Sequence, residues 1–154
     1  MDATNLPDYV VWLLEPGSYD HPVAEVQLIQ THISYVLIAG DYVYKYKKPV
    51  DFGFLDFTTL DKRAHYCTQE LILNRRLCPD IYLDRVTVNV GSRGFELDGE
   101  GEVVEYGIKM ARLNEDKMMG RIVAAGELER AHLDRIVETL VPFYESAAGD
   151  DAIR

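Results

Sequence analysis

The chain has 154 residues, of which 47% are hydrophobic and 27% charged, so its size suits one ordinary domain and its composition excludes a disordered or collagen-like chain. Its 26 acidic and 16 basic residues give a net charge of -10, which argues against nucleic-acid binding because such a surface must be basic. No apolar run approaches the roughly 20 residues needed to cross a bilayer. The acidic charge balance and the lack of an amphipathic basic helix argue against a membrane partner.

The amino-terminal part of the sequence predicts a short helix and then strands. The helix is expected over residues 5–14. Residues 26–39 are rich in β-forming side chains, and the less apolar stretch 31–34 can divide them into two strands. A further strand is expected over 42–48 and ends before Pro49, which cannot continue it.

A long helix over residues 60–78 follows. Thr58 and Asp61 have the spacing of a capping box at its start, and Pro79 stops it after Cys78. Three strands and two helices complete the pattern, over residues 82–90, 95–97, 103–110, 116–125 and 127–148. This order of elements indicates an α+β fold with an antiparallel sheet rather than a parallel βαβ sheet.

The strand at 42–48 carries an unusual set of lysines. Alternation along it separates two sets of side chains, Val43, Lys45 and Lys47 on one face and Tyr42, Tyr44 and Tyr46 on the other. The tyrosines are expected to pack beneath the first helix with Trp12 and Leu13. A lysine in the middle of a strand among large apolar neighbours is costly unless an anion meets it, so Lys45 needs a carboxylate or lies on a solvent-facing surface.

Glu70 in the long helix is a candidate partner for that lysine. The residues three and four positions away on either side are Tyr66, Cys67, Leu73 and Asn74, none of which is cationic. A carboxylate on such an apolar stripe needs a cation from another element, and Lys45 on the preceding strand is the nearest in fold order. The alternative is a partly exposed glutamate at the edge of the stripe.

A strand lysine held by a helix glutamate orients the lysine onto nucleotide phosphates in kinase-like folds. The runs THISYVLIAGDYVYKYKKPVDFGFLDFTTLDKR and ELILNRRLCPDIYL resemble the amino-terminal region of bacterial proteins of the aminoglycoside-phosphotransferase-like (protein-kinase-like) superfamily. The resemblance covers about residues 15–148. In that group a catalytic lobe follows this region, often together with a P-loop ATP-binding domain.

The resemblance implies a single domain over 1–154. Within it, 1–113 would form a kinase-like N-terminal lobe with an antiparallel sheet and a long αC-like helix. Residues 114–154 would supply two helices that begin a carboxyl-terminal lobe and would be truncated. The nucleotide-binding residues that the resemblance implies are Lys45, Glu70, Val43, Thr31, His32, Ser34, Met110, Ala111 and Leu113.

Each of these has an implied role. Lys45 would contact phosphate with Glu70 as its helix partner, and Val43 would cover the adenine. The turn at 31–34 would replace the Gly-rich phosphate loop. It contains no glycine, so its backbone N–H groups would face the phosphate with help from the His32 and Ser34 side chains. Residues 110–113 would form a hinge whose backbone meets the adenine edge.

Two kinase-like motifs are decoys. The triplet at 51–53 reads Asp-Phe-Gly but follows the lysine strand too closely to be the metal-binding triplet, so we expect a turn leading into packed side chains at Phe54, Leu55 and Phe57. The motif beginning at His132 has Thr139 where a catalytic loop needs asparagine, and its periodicity indicates a packing helix.

The sequence therefore predicts no catalytic residue and no metal site in this chain. The expected function is an ATP-binding lobe of an aminoglycoside-phosphotransferase-like small-molecule kinase, with an unknown phosphate acceptor. ATP is the expected cofactor, and Mg²⁺ is expected only together with the missing catalytic lobe. The alternative is a non-catalytic lobe-like module for protein association or regulation, acting as a homodimer or with its missing lobe.

Several other expectations are simpler. Cys67 and Cys78 are expected to be reduced thiols of a cytoplasmic protein, since the first residues also lack a secretory signal. Lys47 is expected to be solvated, with an alternative role as the phosphate contact. Arg75 and Arg76 are expected to bond the last carbonyls of their helix. A solvated acidic hairpin region is expected to comprise Glu96, Asp98, Glu100, Glu102 and Glu105.

Overall fold

The computed structural model describes residues 6–147, and the predicted helix ends at Asn5 and Ala148 lie outside them. The strands of this part of the chain are β1 (Val26–Gln30), β2 (Ser34–Ala39), β3 (Tyr42–Lys47), β4 (Tyr82–Gly91), β5 (Gly94–Leu97) and β6 (Glu102–Ala111). The α-helices are α1 (Asp8–Leu13), α2 (Leu60–Arg75), α3 (Met119–Ala124) and α4 (Arg130–Glu145). No helix in this range is long and apolar enough to cross a membrane.

The strands form one antiparallel sheet in the order β1-β2-β3-β6-β4-β5. The fold is thus α+β with an antiparallel sheet, as the element order predicts. The stretch at 31–34 does divide the first β-rich run into β1 and β2. The chain separates into two units, Met1–Arg112 and Leu113–Arg154.

One face of the sheet packs against α1. Tyr44 and Tyr46 of β3 are buried there in a cluster that includes Val10 and Leu13 of α1, and Trp12 packs at its edge. The period of two along β3 therefore sends its tyrosines to this face, as expected, and its lysines to the other.

The opposite face packs against α2. Cys67 and Leu71 of α2 are buried against Ile108 of β6. The helix begins differently from the prediction, because Thr59 rather than Thr58 accepts the capping hydrogen bond from the backbone N–H of Lys62 at 3.3 Å. The Thr58 hydroxyl donates instead to Asp56 at 2.7 Å.

Gly107 of β6 lies directly over the ring of Tyr46, its cross-strand partner. A Cβ at this position would lie 2.5 Å from Cε1 of Tyr46, which is fully buried and has little room to move. We therefore expect Gly107→Ala to lower the free energy of unfolding by about 1–3 kcal/mol, measured by urea denaturation. Gly17→Ala is the matched control because a Cβ there meets no atom within 4 Å, and an equal loss in both variants would contradict the prediction.

The second unit contains α3 and α4, both shorter than expected. His132 accepts the backbone N–H of Glu129 through Nδ1 at 3.1 Å and so completes a capping box at the start of α4. The motif that begins at His132 therefore lies in a helix, as predicted, and not in a catalytic loop. The apolar side chains of α4 at Leu133, Ile136, Val137 and Val141 are 41–56% exposed.

Candidate functional site

The centre of the candidate site is the ion pair between β3 and α2. Lys45 Nζ donates a hydrogen bond to Glu70 Oε1 at 2.7 Å. The predicted contact is therefore present. The lysine side chain is 27% exposed and that of the glutamate 15%, so the ammonium is the more accessible partner.

Lys47 is the second cation of the site and was wrongly expected to be solvated. Its Nζ donates to the other oxygen of the same carboxylate, Glu70 Oε2, at 2.6 Å, and its side chain is only 6% exposed. The ring of Phe57 lies 4.9 Å from this ammonium. Lys47 is buried because it follows Lys45 by two residues on the face that α2 covers.

The site carries an excess of positive charge. Burial opposes ionisation of Glu70, but the hydrogen bonds from Lys45 and Lys47 together hold its pKa below the usual value. One ionised carboxylate therefore faces two ammonium groups. Cys67, one turn before Glu70, adds no charge, since burial raises the pKa of its thiol to about 11.

The turn at 31–34 differs from its expected role. Thr31 Oγ1 accepts the backbone N–H of Ser34 at 2.9 Å and that of Ile33 at 3.3 Å. The N–H of Thr31 donates to the carbonyl of Ser34 at 2.9 Å. These three amides donate hydrogen bonds inside the turn, so they do not face a phosphate as expected. The Ser34 hydroxyl is buried and has no hydrogen-bond partner among residues 6–147, whereas His32 is exposed.

The structure brings some of the expected adenine-contacting residues together. Val43 pairs with Met110 across β3 and β6, two positions from Lys45 and on the same face. Ala111 does not offer its N–H, which donates to the carbonyl of Ile81 at 2.9 Å. Leu113 belongs to the second unit and is 51% exposed.

A second buried ion pair was missed by the sequence analysis. Glu105, expected to be solvated, is 2% exposed, and its two carboxylate oxygens accept from Nε of Arg63 at 2.8 and 2.9 Å. Arg63 also donates to the carbonyl of Phe57 at 3.0 Å. The sequence does contain one indication of this burial. Arg63, Cys67 and Glu70 follow one another at helical intervals, which places Arg63 on the face of α2 that packs against the sheet.

Two other expectations need correction. The turn at 51–53 is present, with Asp51 Oδ1 accepting the N–H of Gly53 at 2.7 Å. Phe57 packs beyond it, but Phe54 at the tip of this loop is 88% exposed. Arg75 bonds strand carbonyls rather than the end of its own helix, donating from Nε to Tyr82 O at 2.7 Å because β4 passes beside it. No metal-binding cluster of His, Cys, Asp and Glu is found within residues 6–147.

Comparison with known proteins gives relatives without a stated activity. The chain is 33% identical over 130 residues to uncharacterized proteins of Mycobacterium bovis and of two strains of Mycobacterium tuberculosis. The match covers 82% of this chain and 24% of each relative, so the chain spans about a quarter of the length of the curated relatives it matches. No family model matches the sequence. No solved structure matches it either.

Proposed function

We propose that the first unit binds the phosphates of ATP, as the nucleotide-binding lobe of an aminoglycoside-phosphotransferase-like (protein-kinase-like) small-molecule kinase. The observation that carries the proposal is the contact of Lys45 on the third strand with Glu70 on the helix that follows it. Kinases use a lysine and a glutamate in these two positions to hold the phosphates of the nucleotide.

The charge of the site supports an anionic ligand. Two ammonium groups share one carboxylate, and a partly buried cation without full compensation is costly. A phosphate oxygen beside the site would supply the missing negative charge. Charge-assisted hydrogen bonds of this kind are about twice as strong as neutral ones, so the gain on binding is substantial.

The two lysines have different parts in this proposal. Lys47 is held under Phe57 and is almost inaccessible, so it fixes the Glu70 carboxylate in place. Lys45 retains 27% exposure and can turn toward a phosphate while keeping its bond to Glu70. Lys45 is thus the contact residue, and Lys47 is a positioning residue.

In this proposal the chain positions the phosphates of ATP, and the groups that carry out phosphoryl transfer lie outside it. Phosphoryl transfer also requires metal ions and a group that orients the nucleophile. We place those parts, together with the site for the unknown small-molecule acceptor, in a catalytic lobe of a longer protein. The curated relatives have room for one, since they match this chain over only 24% of their length.

The alternative, a module for protein association, has one observation in its favour. The apolar side of α4 keeps Leu133, Ile136, Val137 and Val141 about half exposed, and surfaces of this kind often contact a partner. Nucleotide titration distinguishes the two functions, because ATP binding that depends on Lys45 is expected for a nucleotide-binding lobe and not for an association module.

The test is calorimetric titration of the chain with ATP, ADP and adenosine. We expect affinity to increase with the number of phosphates. Lys45→Met is expected to weaken ATP binding about 10- to 100-fold and to leave any binding of adenosine unchanged, because a charge-assisted hydrogen bond contributes about 1.5–3 kcal/mol.

Lys48→Met is the matched control for this experiment. It removes the same charge three positions away, where the ammonium bonds Gln30 Oε1 at 3.0 Å and has no contact with Glu70. Equal affinities for ATP in the two folded variants, or no ATP binding to the parent chain, would count decisively against the proposed function.

A further inference from the structure

A cleft lies on the face of the sheet opposite the lysine–glutamate site. Tyr44 and Lys109, cross-strand partners on β3 and β6, both line it, and Lys45 is the next residue along β3 and points the other way. The cleft has a volume of about 430 Å³, which is in the range of small-molecule sites. It therefore belongs to a different surface from the proposed phosphate site.

Aromatic rings form the walls of this cleft. Trp12 and Phe95 are in contact, with ring centroids 5.9 Å apart, and Tyr19 lies 5.1 Å from Tyr44. Tyr19 is held in place by its hydroxyl, which donates to the carbonyl of Leu13 at 2.7 Å. Packing already fixes these rings, so binding of a ligand would not require the additional entropy cost of ordering them.

The charged residues of the cleft are mainly acidic. Asp20, Glu96 and Asp98 line it, and Lys109 is the opposing cation. The Lys109 ammonium lies 4.2 Å from the ring centroid of Tyr42 and 5.8 Å from that of Tyr44, so it interacts with the aromatic surface. Among residues 6–147 it forms no ion pair with a carboxylate.

The carboxylates are only partly used by the protein itself. Asp98 accepts the backbone N–H of Thr87 at 2.7 Å through one oxygen. Asp20 has no hydrogen-bond or ion-pair partner within the described part of the chain. Burial, followed by the negative charges of Asp20 and Asp98 among its neighbours, raises the pKa of Tyr44, which lines the same cleft.

We propose that this cleft binds a small organic cation, a quaternary ammonium or a protonated amine, between the rings of Trp12 and Phe95 and the carboxylates of Asp20 and Asp98. Aromatic faces attract such cations through their quadrupole, and nearby carboxylates add direct attraction. Lys109 over the tyrosine rings demonstrates the same interaction within the protein. An inorganic metal ion does not fit, because a large part of the wall is ring carbon rather than oxygen.

The sequence provides its own reporter for this site. Trp12 is the only tryptophan in the chain and lines the cleft, so its fluorescence responds to an occupant. We would titrate the protein with choline and, in parallel, with the neutral analogue in which a tert-butyl group replaces trimethylammonium. Sodium chloride of equal ionic strength controls for screening, and calorimetry on the same samples measures the affinity independently.

Choline is expected to bind saturably in the millimolar range and about 10-fold more tightly than its neutral analogue. The double variant Asp20→Asn/Asp98→Asn is expected to lose about 10-fold in choline affinity. Each asparagine keeps an acceptor oxygen, so the bond from Thr87 is preserved. The matched control, Asp80→Asn/Asp84→Asn, removes the same charge outside the cleft lining and should leave choline affinity unchanged.

The proposal is overturned by absence of saturable binding in calorimetry, by equal affinity for choline and its neutral analogue, or by equal losses in the two double variants. None of these outcomes bears on ATP binding, because the phosphate site lies on the opposite face of the sheet. A result against one site therefore leaves the other to be judged on its own titration.

Discussion

Arg63→Ala is expected to lower the free energy of unfolding by about 3–5 kcal/mol, because it leaves the carboxylate of Glu105 buried without a counter-charge. The glutamate is 2% exposed, and both of its oxygens accept from Arg63. The substitution also removes the donor to the carbonyl of Phe57 at 3.0 Å. Urea denaturation followed by Trp12 fluorescence measures the loss in the unit that contains the pair.

The size of this loss should depend on pH. Burial already raises the pKa of Glu105 in spite of Arg63, and removing the arginine raises it further. A carboxyl group whose pKa is raised in the folded state stabilises the fold below its unfolded pKa, and that stabilisation is lost as pH rises through the folded pKa. Arg63→Ala should therefore be less destabilising near pH 5 than near pH 8, a range set by the usual glutamate pKa of about 4.3 and its upward shift.

Two controls identify the cause. Arg93→Ala breaks an exposed pair with Glu96, in which the arginine is 87% exposed, and should change stability little. The double variant Arg63→Met/Glu105→Leu removes both buried charges and should recover much of the loss. If Arg63→Ala costs no more than Arg93→Ala, the buried pair does not have the stabilising role assigned to it.

The sequence predicts the Lys45–Glu70 contact for a reason that is local. The strand period places Lys45 on the same face of β3 as Lys47. No cation lies three or four positions from Glu70 along α2, so a partner for this carboxylate must come from another element. The same period groups Lys47 with Lys45, but it cannot say whether α2 and Phe57 cover the end of the strand. Burial of Lys47 depends on how the helix is placed over the sheet, which is a tertiary property.

Helical spacing places Arg63 on the same face of α2 as Glu70, but residues near Arg63 in the sequence do not identify Glu105 as its partner. Arg63 and Glu105 are 42 positions apart, and Glu105 follows, three positions after Glu102, an acidic segment that has the pattern of a solvated hairpin. Its environment follows from the position of β6, which pairs between β3 and β4 although it comes after both β4 and β5 in the chain. Similarly, periodicity predicts the helical state of α4 but not what covers its apolar side.

Glu70→Ala is expected to destabilise the first unit by about 3–5 kcal/mol, since it leaves the Lys47 ammonium buried with no acceptor and Lys45 without its partner. Urea denaturation again provides the measurement. Glu70→Gln keeps one acceptor oxygen but not the charge, so its loss should be smaller. A loss from Glu70→Ala no larger than that from replacing an exposed residue such as Glu25 would contradict the prediction.

Double-mutant cycles separate the two lysines. The Lys47 side chain is 6% exposed and that of Lys45 27%, so the coupling energy of Glu70 with Lys47 should exceed its coupling with Lys45. Glu70→Ala/Lys47→Met should consequently recover more stability than Glu70→Ala/Lys45→Met. Equal coupling energies would mean that the two lysines do not divide positioning and phosphate contact between them.

The acid range provides an independent check on the same carboxylate. The pKa of Glu70 is lowered in the fold, so its ion pairs stabilise the protein fully above the unfolded value of about 4.3, and this stabilisation is lost as pH falls through the folded pKa. The parent should therefore lose stability on acidification with a contribution that Glu70→Gln lacks. Because Glu105 has a raised pKa and acts in the opposite direction, the difference between parent and Glu70→Gln isolates the site that we propose for phosphate.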